Sequence, residues 1–181
     1  MRKSDAFLYP RGSQNSFSPR MLELSSGVRI RPFSPDDLNA ILEIQHACKT
    51  IAAWRPQDYA TLAGDPMGMI LVAESEDRML PEILGFSALY RVDAEAELWN
   101  LAVAPAHRRK GIARALLQEA CRRLFEAGVQ KLFLEVRESN LPALELYKYL
   151  GFQQLESRKD YYHHPREDAL VLVLRLDHCE A

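Results

Sequence analysis

Residues 95–137 constrain the fold most. A strand-like run, a basic turn with one glycine, a long amphipathic helix and a second strand-like run follow one another there. In residues 112–127, Ile112, Leu116, Ala120 and Leu124 recur every four positions and mark one apolar stripe. Arg114, Glu119, Arg122, Arg123 and Glu126 fall mostly on the water-facing side. Gly128 stands at the C′ position, where a left-handed residue ends a helix. A helix that joins two strands carries the chain back to the end it started from, so these two strands should lie parallel.

The flanks predict further elements. Residues 28–31 alternate like a half-buried strand. Ser34, Pro35, Asp36 and Asp37 form a helix start, with a capping serine, a proline suited to the first position and two acids at the positive end. Leu38, Ile41, Leu42 and Gln45 then share a helical stripe. A weaker helix is expected at 56–62, and strands at 69–74 and 83–91, joined antiparallel to 95–103 by short connections. Strands at 129–137, 152–159 and 169–176 and a short helix at 141–150, stopped by Gly151, complete the pattern. The fold class is α/β, with a mixed, mainly antiparallel central sheet and helices on both faces. Residues 1–26, rich in Ser, Pro, Arg and Asn without a period, read as a flexible extension, and 27–178 as a single domain.

Composition narrows the function. The 181 residues are 48% hydrophobic and 27% charged, with net charge −2. That balance gives no general attraction for nucleic acid. The three cysteines, Cys48, Cys121 and Cys179, are far apart, with neither a disulfide framework nor zinc spacing. No run approaches the length of a membrane span. A cytoplasmic protein without metal, a monomer or weak dimer, is expected.

Chemistry concentrates in the turn. A helix's first amides lack internal partners and carry partial positive charge, so they can receive a phosphate. Arg108, Arg109 and Lys110 add charge, and Gly111 and Ala113 leave room beside the backbone at Ile112. Three cations at a helix N-terminus oppose the macrodipole unless an anion joins them. Neither GxxxxGK[ST] nor GxGxxG is present.

Arg108-x-x-Gly111-x-Ala113, following Asn100-Leu101-Ala102-Val103-Ala104-Pro105, resembles the acetyl-CoA pyrophosphate loop of the GNAT superfamily. Further on come Leu134-Glu135-Val136-Arg137-x-Ser139-Asn140, Ala143, Leu146-Tyr147-x-x-Leu150-Gly151-Phe152 and Arg158-Lys159-Asp160-Tyr161-Tyr162. These are similar to one branch, the bacterial ribosomal-protein-alanine N-acetyltransferases. The likeness covers residues 97–176, less than half the chain.

The resemblance implies a V-shaped splay between the strands at 95–103 and 129–137, opened at a bulge. Acetyl-CoA would lie in it as cosubstrate, along Leu101, Ala102 and Val103, with its diphosphate on residues 108–113 and a contact from Asn140. It also implies that Glu135 is the general base and Tyr147 the acid. Glu135 shares a face with Val129, Lys131 and Phe133, and desolvation there would make its carboxylate more basic. A surface Glu135 paired with Lys131 or Arg137, and a Tyr147 that merely packs, are the plainer readings. Tyr161, Tyr162 and Trp54 are expected near the acceptor, and Trp99 in the core or the groove wall. The stretch Ile51-Ala52-Ala53-Trp54-Arg55-Pro56 departs from the branch's pattern, as do residues 1–26. His163 and His164 read as loop histidines before Pro165. The implied function is acetyl transfer to a protein N-terminal amine, with the alanine of a small-subunit ribosomal protein as acceptor. Alternatives are a lysine side chain, a small amine, or a CoA-binding module without turnover.

Overall fold

The computed structural model describes residues 27–48, 51, 53–77, 79 and 81–176. The expected N-terminal extension and Cys179 lie outside the described residues. In chain order the elements are β1 (Val28–Pro32), α1 (Leu38–Ala47), α2 (Pro56–Gly64), β2 (Gly68–Ser75), β3 (Ile83–Val92), β4 (Glu95–Val103), α3 (Ile112–Glu126), β5 (Lys131–Arg137), α4 (Leu141–Tyr149), β6 (Gln153–His163) and β7 (Arg166–Arg175). Among the described residues, no helix is long and apolar enough to cross a membrane.

The strands form one sheet in the order β1-β2-β3-β4-β5-β7-β6. Only β4 and β5 pair in parallel, as the strand–helix–strand run requires, and every other neighbouring pair is antiparallel. Each face of the sheet has its own core. On one face α3 buries Ile112, Leu116, Leu117, Ala120 and Leu124 against Leu98, Leu132, Leu134 and Leu174, and Tyr147 of α4 joins them. On the other, Ile41 and Ile44 of α1 and Tyr59 and Leu62 of α2 cover Ile70, Val72, Phe86, Ala88 and Ala102. Fully burying a leucine or isoleucine contributes about 1.5–3 kcal/mol, so both cores hold the sheet firmly.

Helix ends follow the local chemistry. The Ser34 N–H donates to the Asp37 carboxylate at 2.7 Å before α1. Gly128 adopts φ 82 after α3, the left-handed C′ conformation expected of it.

Two departures from the expected pattern matter. Asn100 pairs with Ala88 and Leu98 with Leu89, so Trp99 is an extra residue in β4, a bulge. The bulge flips the alternation: Leu98 packs on the α3 side, whereas Ala102 packs on the α1–α2 side. The β4–β5 pairing ends at Leu98↔Leu134, one residue before that bulge. Beyond it the two strands part. The second departure is the length of the last hairpin. β6 runs to His163 and β7 starts at Arg166, so the Tyr161-Tyr162 stretch is strand, not loop. His163 ends β6 and His164 lies in the turn. β6 is an edge strand exposed along nearly its whole length, so no apolar alternation betrayed it.

Candidate active site

The turn before α3 is built for an unoccupied helix end. Gly111 occupies the N-cap position with φ 82 and ψ 0, and no side chain caps the helix. A Cβ there would meet nothing within 4 Å, so the glycine answers to backbone conformation and not to crowding. Arg109 is also left-handed, at φ 62. The first internal bond runs from the Ala115 N–H to the Gly111 carbonyl at 3.0 Å. The N–H groups of Ile112, Ala113 and Arg114 precede it and point out of the helix end. The Ile112 side chain is buried and Ala113 packs beside it.

The basic residues divide. Arg109 and Lys110 are exposed. Arg108 is exposed too, but its guanidinium reaches back to the protein: its Nε donates to the Val103 carbonyl at 3.2 Å and its Nη2 to Cys48 Sγ at 3.1 Å. It staples the turn to the end of β4 and to the end of α1. Arg114, assigned to the water-facing side by periodicity, is half-buried with its guanidinium 4.4 Å from the Tyr149 ring centroid. Its Nε is buried without a hydrogen-bond partner among the described residues. A buried orphan donor beside uncapped amides is the kind of group an anion would satisfy.

Past Leu98, the edge of β4 that faces β5 has no strand partner. Leu101 is half-buried against the α3 core, Ala102 is buried in the other core, and Val103 is buried at the end of the strand. Cys48 Sγ also donates to the Val103 carbonyl, at 3.5 Å.

The first open rung has Trp99 on β4 and Glu135 on β5. Glu135 follows Leu134 and alternates with Phe133 and Lys131 on the face away from α3, whereas Val129, expected on the same face, precedes β5 and is buried in the α3 core. Its setting is not the apolar one expected. The Arg158 guanidinium donates to its carboxylate. The partners foreseen for it are engaged elsewhere, Lys131 with Glu95 at 3.0 Å and Arg137 with Glu167 at 3.1 Å. Tyr161 and Tyr162 meet edge to face, with centroids 5.2 Å apart. The Arg137 guanidinium lies 3.9 Å over Tyr162, and burial, with the nearby Glu135 charge, pushes the Tyr162 phenol above its ordinary pKa.

Tyr147 lies on the other side of the sheet, buried in the α3 core with its ring centroid 5.4 Å from that of Phe152. Burial, then Tyr162, raises its phenol pKa well above the usual range. Asn140 Oδ1 accepts from the Ala143 N–H at 3.4 Å and caps α4.

On the β4 side, Trp99 stacks on Tyr90 (4.9 Å, 6°) and meets Trp54 edge-on at 5.9 Å, with Tyr59 behind Trp54 at 5.0 Å. Gln45 fixes this wall. Its Nε2 donates to the Trp54 carbonyl and its Oε1 accepts from the Trp54 N–H, both at 2.9 Å, while the Tyr59 hydroxyl donates to Oε1 at 2.7 Å. Tyr90 and Arg158 were not foreseen in the opening. Arg158 stood inside the matched motif, and Tyr90 carried no signal beyond being an aromatic near a strand end.

The uncapped helix, the parted strands and the flanking tyrosines and tryptophans fall within one region of the sheet. A family model for the acetyltransferase (GNAT) family matches residues 38–152. The [ribosomal protein bS18]-alanine N-acetyltransferase of Haemophilus ducreyi is 34% identical over 143 residues, 77% of this chain and 94% of that protein. The enzyme of the same name from Escherichia coli K12 is 45% identical over 82 residues, 44% of this chain and 55% of its own length. The crystal structure of the ribosomal-protein-S18-alanine N-acetyltransferase from Escherichia coli superposes with a TM-score of 0.74 at 30% identity, covering 84% of this chain and 96% of that one. The chain belongs to the acetyltransferase (GNAT) family and is an N-acetyltransferase.

Proposed function

We propose that this enzyme transfers acetyl from acetyl-CoA to the α-amine of a protein N-terminus, with the alanine of a small-subunit ribosomal protein as preferred acceptor. The acceptor is that printed in the names of the relatives, one of which is matched over 94% of its length. The chain's own residues fit the cosubstrate: left-handed Gly111, uncapped amides at 112–114 and the orphan Arg114 Nε form an anion cradle. Arg109 and Lys110 add charge at its rim. Leu101, Ala102 and Val103 offer main-chain groups along the parted edge, and Asn140, the N-cap of α4, adds a side-chain contact. When bound, acetyl-CoA supplies an acetyl group already activated as a thioester.

Glu135 accepts the proton that the acceptor ammonium must lose before it is a nucleophile. Tyr147, held protonated by burial, offers a hydrogen bond where charge leaves. The same burial opposes full release of its proton, so hydrogen-bond donation is the role its setting favours. Trp54 with Trp99 on one side and Tyr161 with Tyr162 on the other flank the acceptor's approach. Residues 27–178 act as one catalytic domain, and the site of action is the cytoplasm.

The observation that carries this reading is Glu135 at the first open rung of a splay whose other components suit a diphosphate and its arm. Glu135→Gln tests it. Turnover should fall by about 100-fold or more, the scale of general base catalysis, while acetyl-CoA affinity by calorimetry stays near wild type. Equal loss of both would remove Glu135 from that role. Thiol release with alanine-initiated peptides, lysine peptides and small amines then ranks the acceptors. Turnover on none of them would favour a binding module.

A further inference from the structure

The acceptor ammonium must reach Glu135, yet that carboxylate already holds a cation. Arg158 donates to Glu135 through Nη1 and to Glu156 Oε1 through Nε at 2.8 Å. Glu135 on β5 and Glu156 on β6 both oppose Val171 of β7, so the two carboxylates share one rung, two strands apart. At about 4.8 Å per strand, one extended guanidinium can serve both. Arg158 stands two residues from Glu156, on the same face of β6, and opposite Ala169.

The backbone fixes this position. The register shifts between Arg158 and Tyr162, with Asp160 at φ 55. Asp160 pairs with Arg166 at 2.5 Å, and its N–H donates to Asp168 at 2.8 Å. The side chains are unequally wet: Glu135 is 20% exposed, Arg158 44% and Glu156 50%. A guanidinium so placed can leave the inner carboxylate without losing the outer one, and the Tyr161 ring, 5.9 Å away, lies beside its path.

We propose that Arg158 is a displaceable counter-ion of Glu135, a positioning residue that the acceptor ammonium replaces and that Glu156 receives. This rests on the reading of Glu135 as the acceptor-facing base. In the absence of acceptor, Arg158 stays paired with the carboxylate. On binding, the ammonium takes the Glu135 site, and Arg158 retains one full partner in Glu156. The incoming cation balances the second carboxylate, since one guanidinium had served both, and no covalent bond is made or broken.

Variants of the two outer residues test this by the sign of their effects. Arg158→Gln removes the competitor, so the acceptor KM should fall about threefold, the scale of a partly exposed ion pair. Glu156→Gln removes the alternative partner and ties Arg158 to Glu135, so the acceptor KM should rise by a similar factor. Calorimetry of a short alanine-initiated peptide on the CoA-saturated enzyme should show the same opposite shifts in Kd. Acetyl-CoA affinity and Tm should stay near wild type in both variants, and Arg158→Lys, which keeps the charge, should resemble wild type. Shifts of the same sign, or no shift in either variant, would overturn the proposal. Glu135→Gln separates the two levels. If that variant still turns over, the base assignment fails first. If it is inactive while the outer variants do not oppose each other, only the counter-ion role fails.

Discussion

Gly111 shows how one residue joins conformation to binding. Its φ of 82 is the left-handed region, where a side chain strains the backbone by about 1–2 kcal/mol. The space beside its Cα is open, so that strain is the whole structural effect of alanine. Gly111→Ala should therefore lower stability in urea by about 1 kcal/mol and weaken acetyl-CoA modestly. Gly111→Asp adds a negative charge at the diphosphate's place and should abolish detectable binding by calorimetry. An unchanged affinity in the aspartate variant would remove residues 108–113 from the cosubstrate's path. At this scale the sequence singled out residues worth attention but was a poor guide to what each one touches. Glu135 stands at the first open rung and Gly111 at the uncapped end of α3, whereas Tyr147 is buried in the core on the other face. The hydrogen bonds of Arg108 to Val103 and Cys48, and of Arg158 to Glu135, connect residues far apart in the chain, and periodicity carries no information about such pairs.

Among elements, the wall made by α1, α2 and the loop between them depends most on a single polar side chain. Gln45 is buried and bonds both main-chain groups of Trp54 as well as the Tyr59 hydroxyl. Leucine would fill similar space but leave those groups unsatisfied. Gln45→Leu should cost about 1–3 kcal/mol in urea unfolding and broaden the tryptophan emission as Trp54 loses its anchor. It should raise the acceptor KM more than that of acetyl-CoA, because α3 packs in the other core. Element boundaries came through well where apolar spacing was strong, as in α3 and β4. They came through poorly in β6, whose exposed face leaves no alternation to read. A bulge in β4 was expected only through the family likeness, and its place at Trp99 was not foreseen, since a bulge is a register between two strands and neither strand alone records it.

Across the molecule, acid should remove stabilisation from the edge of the sheet at β1 and β2. Arg31, then Arg29, holds the Glu74 carboxyl down at about 2. Asp37 is also held below its usual value: burial raises it, but the Arg31 guanidinium and the Ser34 N–H outweigh that. Both carboxyls are depressed in the folded state, so the unfolded chain binds more protons as pH falls. Their stabilisation is complete above the ordinary carboxylate range and is lost progressively as pH drops from about 4.5 towards 2. Glu74→Gln should flatten the fall in urea stability between pH 5 and 3. A variant that loses stability as steeply as wild type would refute the linkage. The division of the interior by the sheet has a wider consequence. Two compartments divided by the sheet and joined beyond it through such contacts as Arg108 to Cys48 respond largely independently to substitution. Under the function proposed, a lineage of such enzymes is free to exchange one amine for another by remodelling the tryptophan side, while the thioester donor and its handling remain untouched on the other.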